Sequence, residues 1–131
     1  MCWVSGIKIE KDRQRLTMPP CVFCSIIEKK APAIFVYEDE KVVAFHTINP
    51  VAPVHLLIVP KKHIDSVNVV EPEDETLMGH MFSVARKLAE ETGVARSGYR
   101  LITNTGADGG QSVYHIHMHL IGGKHLPFRF E

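Results

Sequence analysis

The sequence predicts an α+β fold in which an antiparallel sheet of about five strands packs with one long and one short helix. Short apolar runs follow one another directly and are separated by turn residues, which is typical of antiparallel strands. A single long segment places its apolar residues at helical spacing. Hydrophobic residues make up 45% of the chain, which is enough to form a core and excludes wholesale disorder.

The chain has 131 residues, a length that fits one folded domain. Residues 1–20 are polar and without periodicity, and they end in Pro19 and Pro20. We therefore expect a flexible N-terminal arm at 1–20 and a single domain at 21–131.

The first half of that domain predicts a helix and three strands. Apolar residues recur with helical spacing at 21–30, which predicts a short helix that ends before Pro32. Strands are expected at 34–37 and 42–48, joined by a polar turn, because both runs are rich in β-branched and aromatic residues. A third strand is expected at 54–59, where nearly every residue is apolar.

The second half predicts a long helix and two further strands. The helix covers 73–92, with Pro72 suited to its first turn and Gly93 to its C-terminal end. Strands are expected at 99–104 and 113–121, separated by a glycine-rich loop.

The charge balance excludes several classes of protein. Lys plus Arg and Asp plus Glu are both 15, so no excess positive charge is available to neutralise nucleic-acid phosphates or to hold the chain on a membrane surface. The apolar runs are too short to span a bilayer, and no segment resembles a signal peptide. Three cysteines do not form a disulfide framework, which favours a reducing, cytoplasmic location.

Three histidines alternate with apolar residues in the segment His115, Ile116, His117, Met118, His119 and Leu120. Because strand side chains alternate between faces, all three imidazoles are expected on one face of the fifth strand. An array of imidazoles on a rigid backbone suits chemistry on a phosphate. One alternative is that they are exposed sheet residues, and another is a shared metal ion, although neighbours on an extended strand are usually too far apart for that.

The loop before the histidines contains Gly106, Gly109 and Gly110. Glycines allow close backbone approach, and successive N–H groups in such a loop can hold an anion. Gln111 and Ser112 follow as uncharged donors for a phosphoryl oxygen or a leaving group.

Residues 21–123 resemble the histidine triad (HIT) family, and in particular its Hint-like nucleoside phosphoramidase branch. The resemblance lies in the alternating histidines 115–119, the Gly-Gly-Gln-Ser-Val segment 109–113, and the segment Pro-Val-His-Leu-Leu-Ile-Val-Pro-Lys-Lys-His at 53–63. It implies a HIT-like fold and a hydrolase of purine nucleoside 5′-phosphoramidates or of acyl and aminoacyl adenylates.

The resemblance also implies roles for individual residues. His117 is the nucleophile that forms a covalent nucleotidyl-histidine, and His119 holds the phosphate oxygens. His55 belongs to the relay that orients His117 and fixes its tautomer. The remaining implied contacts are made at the phosphate and leaving-group end of the substrate by Asn104, Gly110, Gln111 and Ser112. No metal or other cofactor is required for this chemistry.

The base of the nucleotide is expected in an apolar slot that also serves as core, formed by Val22, Phe23, Ile26, Phe45, Ile48 and Leu57. His46 and Thr47 lie in the same binding segment. The family usually has Asp where this chain has Thr47, and that carboxylate accepts hydrogen bonds from both ribose hydroxyls. Ribose binding by this chain is thus expected to be weaker.

Cys21 and Cys24 have a metal-ligand spacing. Some relatives bind zinc through this pair together with the histidines that match His63 and His115, so the resemblance implies a structural zinc site with four protein ligands. The alternative is that the two cysteines are ordinary small apolar residues.

Two further function classes remain open at this point. The chain could be a nucleotide-binding regulatory or scaffold protein with incidental turnover, or a zinc-binding regulatory module without catalysis. A homodimer is also expected, because Hint-like relatives pair through the long helix and the neighbouring edge strand, and the helix here has a wide apolar arc that includes Met78 and Met81.

Overall fold

The computed structural model describes residues 21–128, so the predicted arm at 1–20 and the last residues 129–131 lie outside the described residues. Within that range, two α-helices accompany one five-stranded antiparallel sheet, which confirms the predicted α+β class. The elements are α1 (Val22–Ile27), β1 (Phe35–Glu38), β2 (Val42–His46), β3 (Val54–Pro60), α2 (Glu75–Thr92), β4 (Tyr99–Ile102) and β5 (Met118–Gly122).

The strands are ordered β1-β2-β3-β5-β4, so β3 lies at the centre of the sheet. Every residue of β3 after Val54 is buried, which explains its nearly unbroken apolar sequence. The β3–β5 register pairs Leu57 with His119 and Ile58 with Met118. This register brings the histidine segment alongside the centre of the sheet.

Both faces of the sheet are covered. Helix α2 packs on one face through Met81, Val84, Ala85 and Leu88, against sheet residues that include Leu56, Ile58 and Leu120. The opposite face has a second cluster, in which residues of α1 meet residues of β2 and β3. Its buried members are Phe23, Ile26, Val43, Phe45, Leu57 and Val59. His119 projects to the face of Leu57, its register partner.

Helix α2 begins two residues later than predicted, because Pro72–Asp74 form a 3-10 turn ahead of it. In that turn the side chain of Asp74 accepts the N–H of Glu71, a reciprocal cap that satisfies donors at the helix start. Gly93 ends the helix with a φ of 85°, a left-handed conformation that favours glycine.

The prediction that the fifth strand covers 113–121 is wrong at its start, because β5 begins at Met118. Pro60 has no N–H to donate to a neighbouring strand. Its carbonyl oxygen accepts a hydrogen bond from Nε2 of His115 instead. The N–H of Ile116 bonds to the carbonyl of Ile64, outside the sheet. His115 and His117 therefore precede the strand, and the expectation of three histidines on one strand face is also wrong.

Within residues 21–128, no helix is both long and apolar enough to cross a membrane.

Candidate functional site

His117 is buried, and its ring is held by the main chain two residues before it. Its Nδ1 lies 2.8 Å from the carbonyl oxygen of His115. A carbonyl can only accept, so Nδ1 bears the proton and Nε2 has a lone pair. Within the described residues Nε2 has no hydrogen-bond partner, and no fully buried side-chain nitrogen lacks one, so Nε2 retains some solvent access. Burial lowers the pKa of His117, which keeps the ring neutral.

His119 lies beside His117, with ring centroids 5.1 Å apart. Its Nδ1 is 2.9 Å from Nε2 of His55, a residue that is 64 positions earlier in the chain. Burial, with smaller contributions from His117 and His55, lowers the pKa of His119 to about 4. The neutral imidazoles of His55, His119 and His117 thus form one row. His115, the first histidine of the 115–119 segment, does not belong to it.

The resemblance implied that His55 orients His117, but the structure pairs His55 with His119. The hydrogen-bond partner of His117 is the carbonyl oxygen of His115. The tautomer of His117 is therefore set by the main chain. His55 therefore contacts His119, whereas the resemblance implied that it acts on His117.

The residues predicted to line an apolar slot divide into two groups. Phe23, Ile26, Phe45 and Leu57 are buried in the cluster beneath α1. The edge of the Phe23 ring meets the His117 ring, with centroids 5.0 Å apart and planes at 89°. Val22 and Ile48 are exposed, and Ile48 is 91% accessible. The exposed pair is accessible to a ligand, while the buried four belong to the core, in which Phe23 contacts His117.

The glycine-rich loop is folded onto itself. A Cβ on Gly109 would clash with the carbonyl oxygen of Thr105, and Gly110 has a φ of 84°. The N–H groups of Gly110 and Gln111 donate to the carbonyls of Ala107 and Gly106. Contrary to expectation, these two amides do not point toward an anion.

The side chain of Gln111 braces this loop. Its Oε1 accepts the N–H of Gly106, and its Nε2 donates to the carbonyls of Asp65 and Val113. Both amide hydrogens are therefore in use, and this arrangement leaves Gln111 no donor for a phosphoryl oxygen. Ser112, the next residue, is exposed.

Three other predicted residues lie at or just after the ends of β2 and β4. His46 is exposed at the end of β2, where it pairs in register with Leu56. The hydroxyl of Thr47 accepts the N–H of Asn49 at 3.3 Å, which closes a small turn. Asn104 is partly buried just after β4.

The structure brings together the four predicted metal ligands, Cys21, Cys24, His63 and His115, with their ligand atoms within 4.8 Å of one another. The Sγ–Nδ1 distances are 3.5 Å from Cys21 to His115, 3.5 Å from Cys24 to His63 and 3.6 Å from Cys24 to His115. The two Nδ1 atoms are 3.1 Å apart. Tetrahedral zinc, with bonds of about 2.3 Å to sulfur and about 2.0 Å to nitrogen, separates such ligand atoms by roughly 3.3–3.6 Å.

The outer nitrogens of both histidines show why a cation fits here. Nε2 of His115 donates to the carbonyl of Pro60 at 2.8 Å, and Nε2 of His63 lies 2.7 Å from a carboxylate oxygen of Asp65. When both rings are neutral, their protons are on Nε2, and two Nδ1 lone pairs face each other at 3.1 Å. A shared cation removes this repulsion, and the carboxylate and carbonyl partners orient the ligands as in known metal sites. The sequence reasoning missed Asp65, although a carboxylate two residues after a candidate ligand is a usable signal.

A cavity of about 370 Å³ lies elsewhere, between the β1–β2 turn and the start of α2. Its walls are mostly charged and include Lys61, Lys62 and Asp74, which are held in ion pairs. None of the predicted site residues lines this cavity. We place the candidate site at His117 and His119, whose Nε2 atoms have no hydrogen-bond partner in the described residues.

Comparisons with known proteins agree with this geometry. A model of the HIT domain matches residues 28–126. Purine nucleoside phosphoramidase of Escherichia coli (strain K12) is 51% identical over 105 residues, which cover 80% of this chain and 88% of that protein. The solved structure of a HIT family hydrolase from Legionella pneumophila Philadelphia 1 has a TM-score of 0.82 at 46% identity, covering 83% of this chain and 97% of that one.

A Zn-bound histidine triad family protein from Mycobacterium smegmatis is also similar, with 33% identity and a TM-score of 0.70 over 85% of this chain and 82% of that one. The family model covers well over half of this chain, and the curated relative exceeds half identity over most of its length. This chain therefore belongs to the HIT family.

Proposed function

We propose that this HIT-family hydrolase cleaves purine nucleoside 5′-phosphoramidates, or acyl and aminoacyl adenylates, through a covalent nucleotidyl-histidine on His117. The observation that carries the proposal is the hydrogen bond from Nδ1 of His117 to the carbonyl of His115. It leaves Nε2 with a lone pair and without a hydrogen-bond partner in the described residues, as a nucleophile requires. The similarity to purine nucleoside phosphoramidase supports the substrate class.

The reaction proceeds in two displacements. Nε2 of His117 attacks the α-phosphorus, a P–N bond to the ring forms, and the bond to the leaving group breaks with its electron pair. A leaving amine takes up a proton, whereas a leaving carboxylate does not need one. Water then attacks phosphorus, the bond to Nε2 breaks, and the water proton passes to solvent as the nucleoside 5′-monophosphate leaves. The His115 carbonyl stabilises the ring while it is positively charged.

The neighbouring side chains divide the remaining tasks. His119 contacts the phosphate oxygens beside His117, as their 5.1 Å ring separation allows. The exposed Ser112 hydroxyl relays the proton to a leaving amine. Asn104 and the Gly110 segment position the same end of the substrate, while Gln111 acts indirectly by bracing the loop. His55 acts through His119.

The purine lies against Val22 and Ile48, above the floor formed by Phe23, Ile26, Phe45 and Leu57. The two exposed apolar side chains supply a surface that a base can cover, and covering apolar area is favourable. Thr47, with His46 beside it, lies where the ribose is expected.

We assign zinc to the group formed by Cys21, Cys24, His63 and His115. The ligand distances and the donor set of two cysteines and two histidines support this metal, as does the Zn-bound relative. A zinc ion with four protein ligands has no open position, so it would tie α1 to the centre of the sheet without entering the reaction. Both cysteines must be reduced to bind zinc, and the cytoplasmic location expected from the sequence is a reducing one.

A homodimer is part of the same proposal. The outer face of α2 exposes Phe82 to 58%, and β4 is an edge strand of the sheet. The edge strand offers unpaired main-chain groups, and the exposed aromatic side chain offers apolar area, for contact with a second copy.

The proposal is tested with a panel of purine nucleoside 5′-phosphoramidates and aminoacyl adenylates. Radiolabelled substrate is mixed rapidly with excess protein, and both protein-bound label and released monophosphate are followed. We expect label to appear on the protein and then to leave as monophosphate. Tight binding with no release would instead support a nucleotide-binding regulatory or scaffold protein, and release without any bound label would contradict the covalent step.

A further inference from the structure

The loop that leads into β3 ends at the row of histidines, and one of its main-chain groups contacts that row. The N–H of Val51 lies 3.1 Å from Nδ1 of His55. A main-chain N–H can only donate, so Nδ1 of His55 must accept. In a neutral imidazole the proton is then on the other nitrogen, Nε2.

The same argument applies to the ring of His119. Nε2 of His55 is 2.9 Å from Nδ1 of His119, with ring centroids 5.1 Å apart. Because Nε2 of His55 bears the proton, Nδ1 of His119 must accept it. The proton of a neutral His119 is therefore on its own Nε2, which has no hydrogen-bond partner within the described residues.

Both rings are neutral at pH 7, so this assignment of tautomers applies. Burial lowers the pKa of His55, and burial with its neighbours lowers the pKa of His119 to about 4. A second proton on His55 would place two donors face to face at the Val51 N–H.

The loop is built to hold the Val51 N–H in place. Pro50 and Pro53 fix two backbone φ angles around it. The N–H of Thr47 bonds to the carbonyl of His55, and the hydroxyl of Thr47 accepts the N–H of Asn49. The side chain of Val51 is 57% exposed, so the main-chain group, rather than core packing, is what this residue contributes here.

We infer that the main-chain N–H of Val51 sets the tautomer of His119 through the ring of His55, and so presents a proton on Nε2 of His119 to the phosphoryl oxygen beside His117. The last clause rests on the proposed function. The opposite tautomer would present a lone pair to a negatively charged oxygen, which repels it. His117 and His119 thus expose opposite groups side by side, a lone pair on one Nε2 and a proton on the other.

The tautomers are measured directly by long-range ¹H–¹⁵N NMR of protein labelled with ¹⁵N-histidine at pH 7, without substrate. We expect the Nε2–H tautomer for His55 and His119 and the Nδ1–H tautomer for His117, with signals assigned from single His→Asn variants. A predominant Nδ1–H tautomer at His119 in the unaltered protein would overturn the inference. Because no turnover is needed, a protein inactive toward phosphoramidates would refute the proposed function and leave this result intact.

Two variants test the path of the effect. Val51→Pro removes the N–H, and Val51→Ala keeps it as the matched control. We expect mixed tautomers at His119 in Val51→Pro and the original single tautomer in Val51→Ala. Relative to Val51→Ala, kcat should fall about fivefold to tenfold in Val51→Pro with KM little changed, because the lost contact strengthens in the transition state.

A folded Val51→Pro protein with a single Nε2–H tautomer at His119 would show that this N–H is not the cause. If Val51→Pro does not fold, His55→Ala decides the question, because it removes the ring that transmits the effect. Mixed tautomers at His119 are then expected, and an unchanged single tautomer would contradict the inference.

Discussion

Nδ1 of His117 lies 2.8 Å from the carbonyl oxygen of His115, and the ring of His115 belongs to the Cys/His group. Under the proposed function this residue has two roles: its carbonyl orients His117, the proposed nucleophile, and its side chain faces the proposed metal position. Loss of the metal is therefore expected to change the orientation of the His117 ring through His115, although the rings of His115 and His117 belong to different sites.

Replacing the nucleophile should nearly abolish turnover. His117→Ala removes Nε2 of His117, the proposed nucleophile, so we expect kcat to fall by at least about a thousandfold. His125→Ala, which alters an exposed histidine outside the site, is the control. Retention of more than about a tenth of normal kcat by His117→Ala would place the nucleophile elsewhere.

The purified protein should contain close to one zinc ion per chain. His63→Gln should lower the zinc content and the melting temperature, because the bound metal stabilises only the folded state. Catalysis should decrease but persist, since His117 and His119 are not ligands. Elemental analysis and thermal unfolding measure both effects, with His125→Gln, at an exposed histidine outside the group, as the control. Equal melting temperatures with and without a chelator would contradict a structural metal.

Thr47→Asp should tighten the binding of ribonucleotides. The Thr47 hydroxyl already accepts the Asn49 N–H, and a carboxylate can keep that bond while its second oxygen accepts from the ribose. The gain should be about 1–2 kcal/mol, or roughly a 5- to 30-fold decrease in KM, with kcat little changed. KM is compared for ribonucleotide substrates and their 2′,3′-dideoxy analogues. Equal gains for both would show that position 47 does not contact the ribose.

The buried carboxylate of Asp74 should make the stability of the fold depend on pH. The Lys62 ammonium, 2.6 Å away, and the N–H of Glu71 hold the pKa of Asp74 below its usual value. A lowered pKa stabilises the fold above the unfolded value of about 3.9, and this contribution is lost as the pH falls below it.

Asp74→Asn should therefore lower the free energy of unfolding at pH 7 by about 1–2 kcal/mol, at the lower end for a charged hydrogen bond because Lys62 is half exposed. Glu73→Gln, which affects an exposed partner of the same lysine, should change it by less than about 0.5 kcal/mol. Denaturant unfolding at several pH values measures both. A difference for Asp74→Asn that stays constant down to pH 3 would contradict the assignment.

The protein should be a homodimer in solution. Light scattering at micromolar concentration should give about twice the 14.7 kDa chain mass. Phe82→Glu places a charge on the exposed face of α2 and should shift the protein toward monomer. Val67→Glu, at a similarly exposed site outside α2, should not. A monomer mass for the unaltered protein would refute the dimer.

The sequence alone was enough to predict the class of fold and the neighbourhood of the site. Alternation of apolar and polar residues and helical spacing are local patterns, so four strands and both helices were placed to within a few residues. The Cys21–Cys24 spacing and the triad are also local, and they identified the candidate ligands and the candidate nucleophile before any distance was known. The resemblance then supplied the family, which the comparisons confirmed.

Only the tertiary structure decided how these groups are connected. His55 is 64 positions from His119, and Cys21 is 94 positions from His115, so no sequence spacing shows which of them meet. The fifth strand begins late because Pro60, a residue of another strand, lacks an N–H and gives its carbonyl to His115. Gln111 was mistaken for an open donor because its acceptors are main-chain carbonyls that only the fold brings near. The tautomers and free lone pairs of the histidines depend on partners that are distant in the sequence. The sequence alone therefore does not determine them.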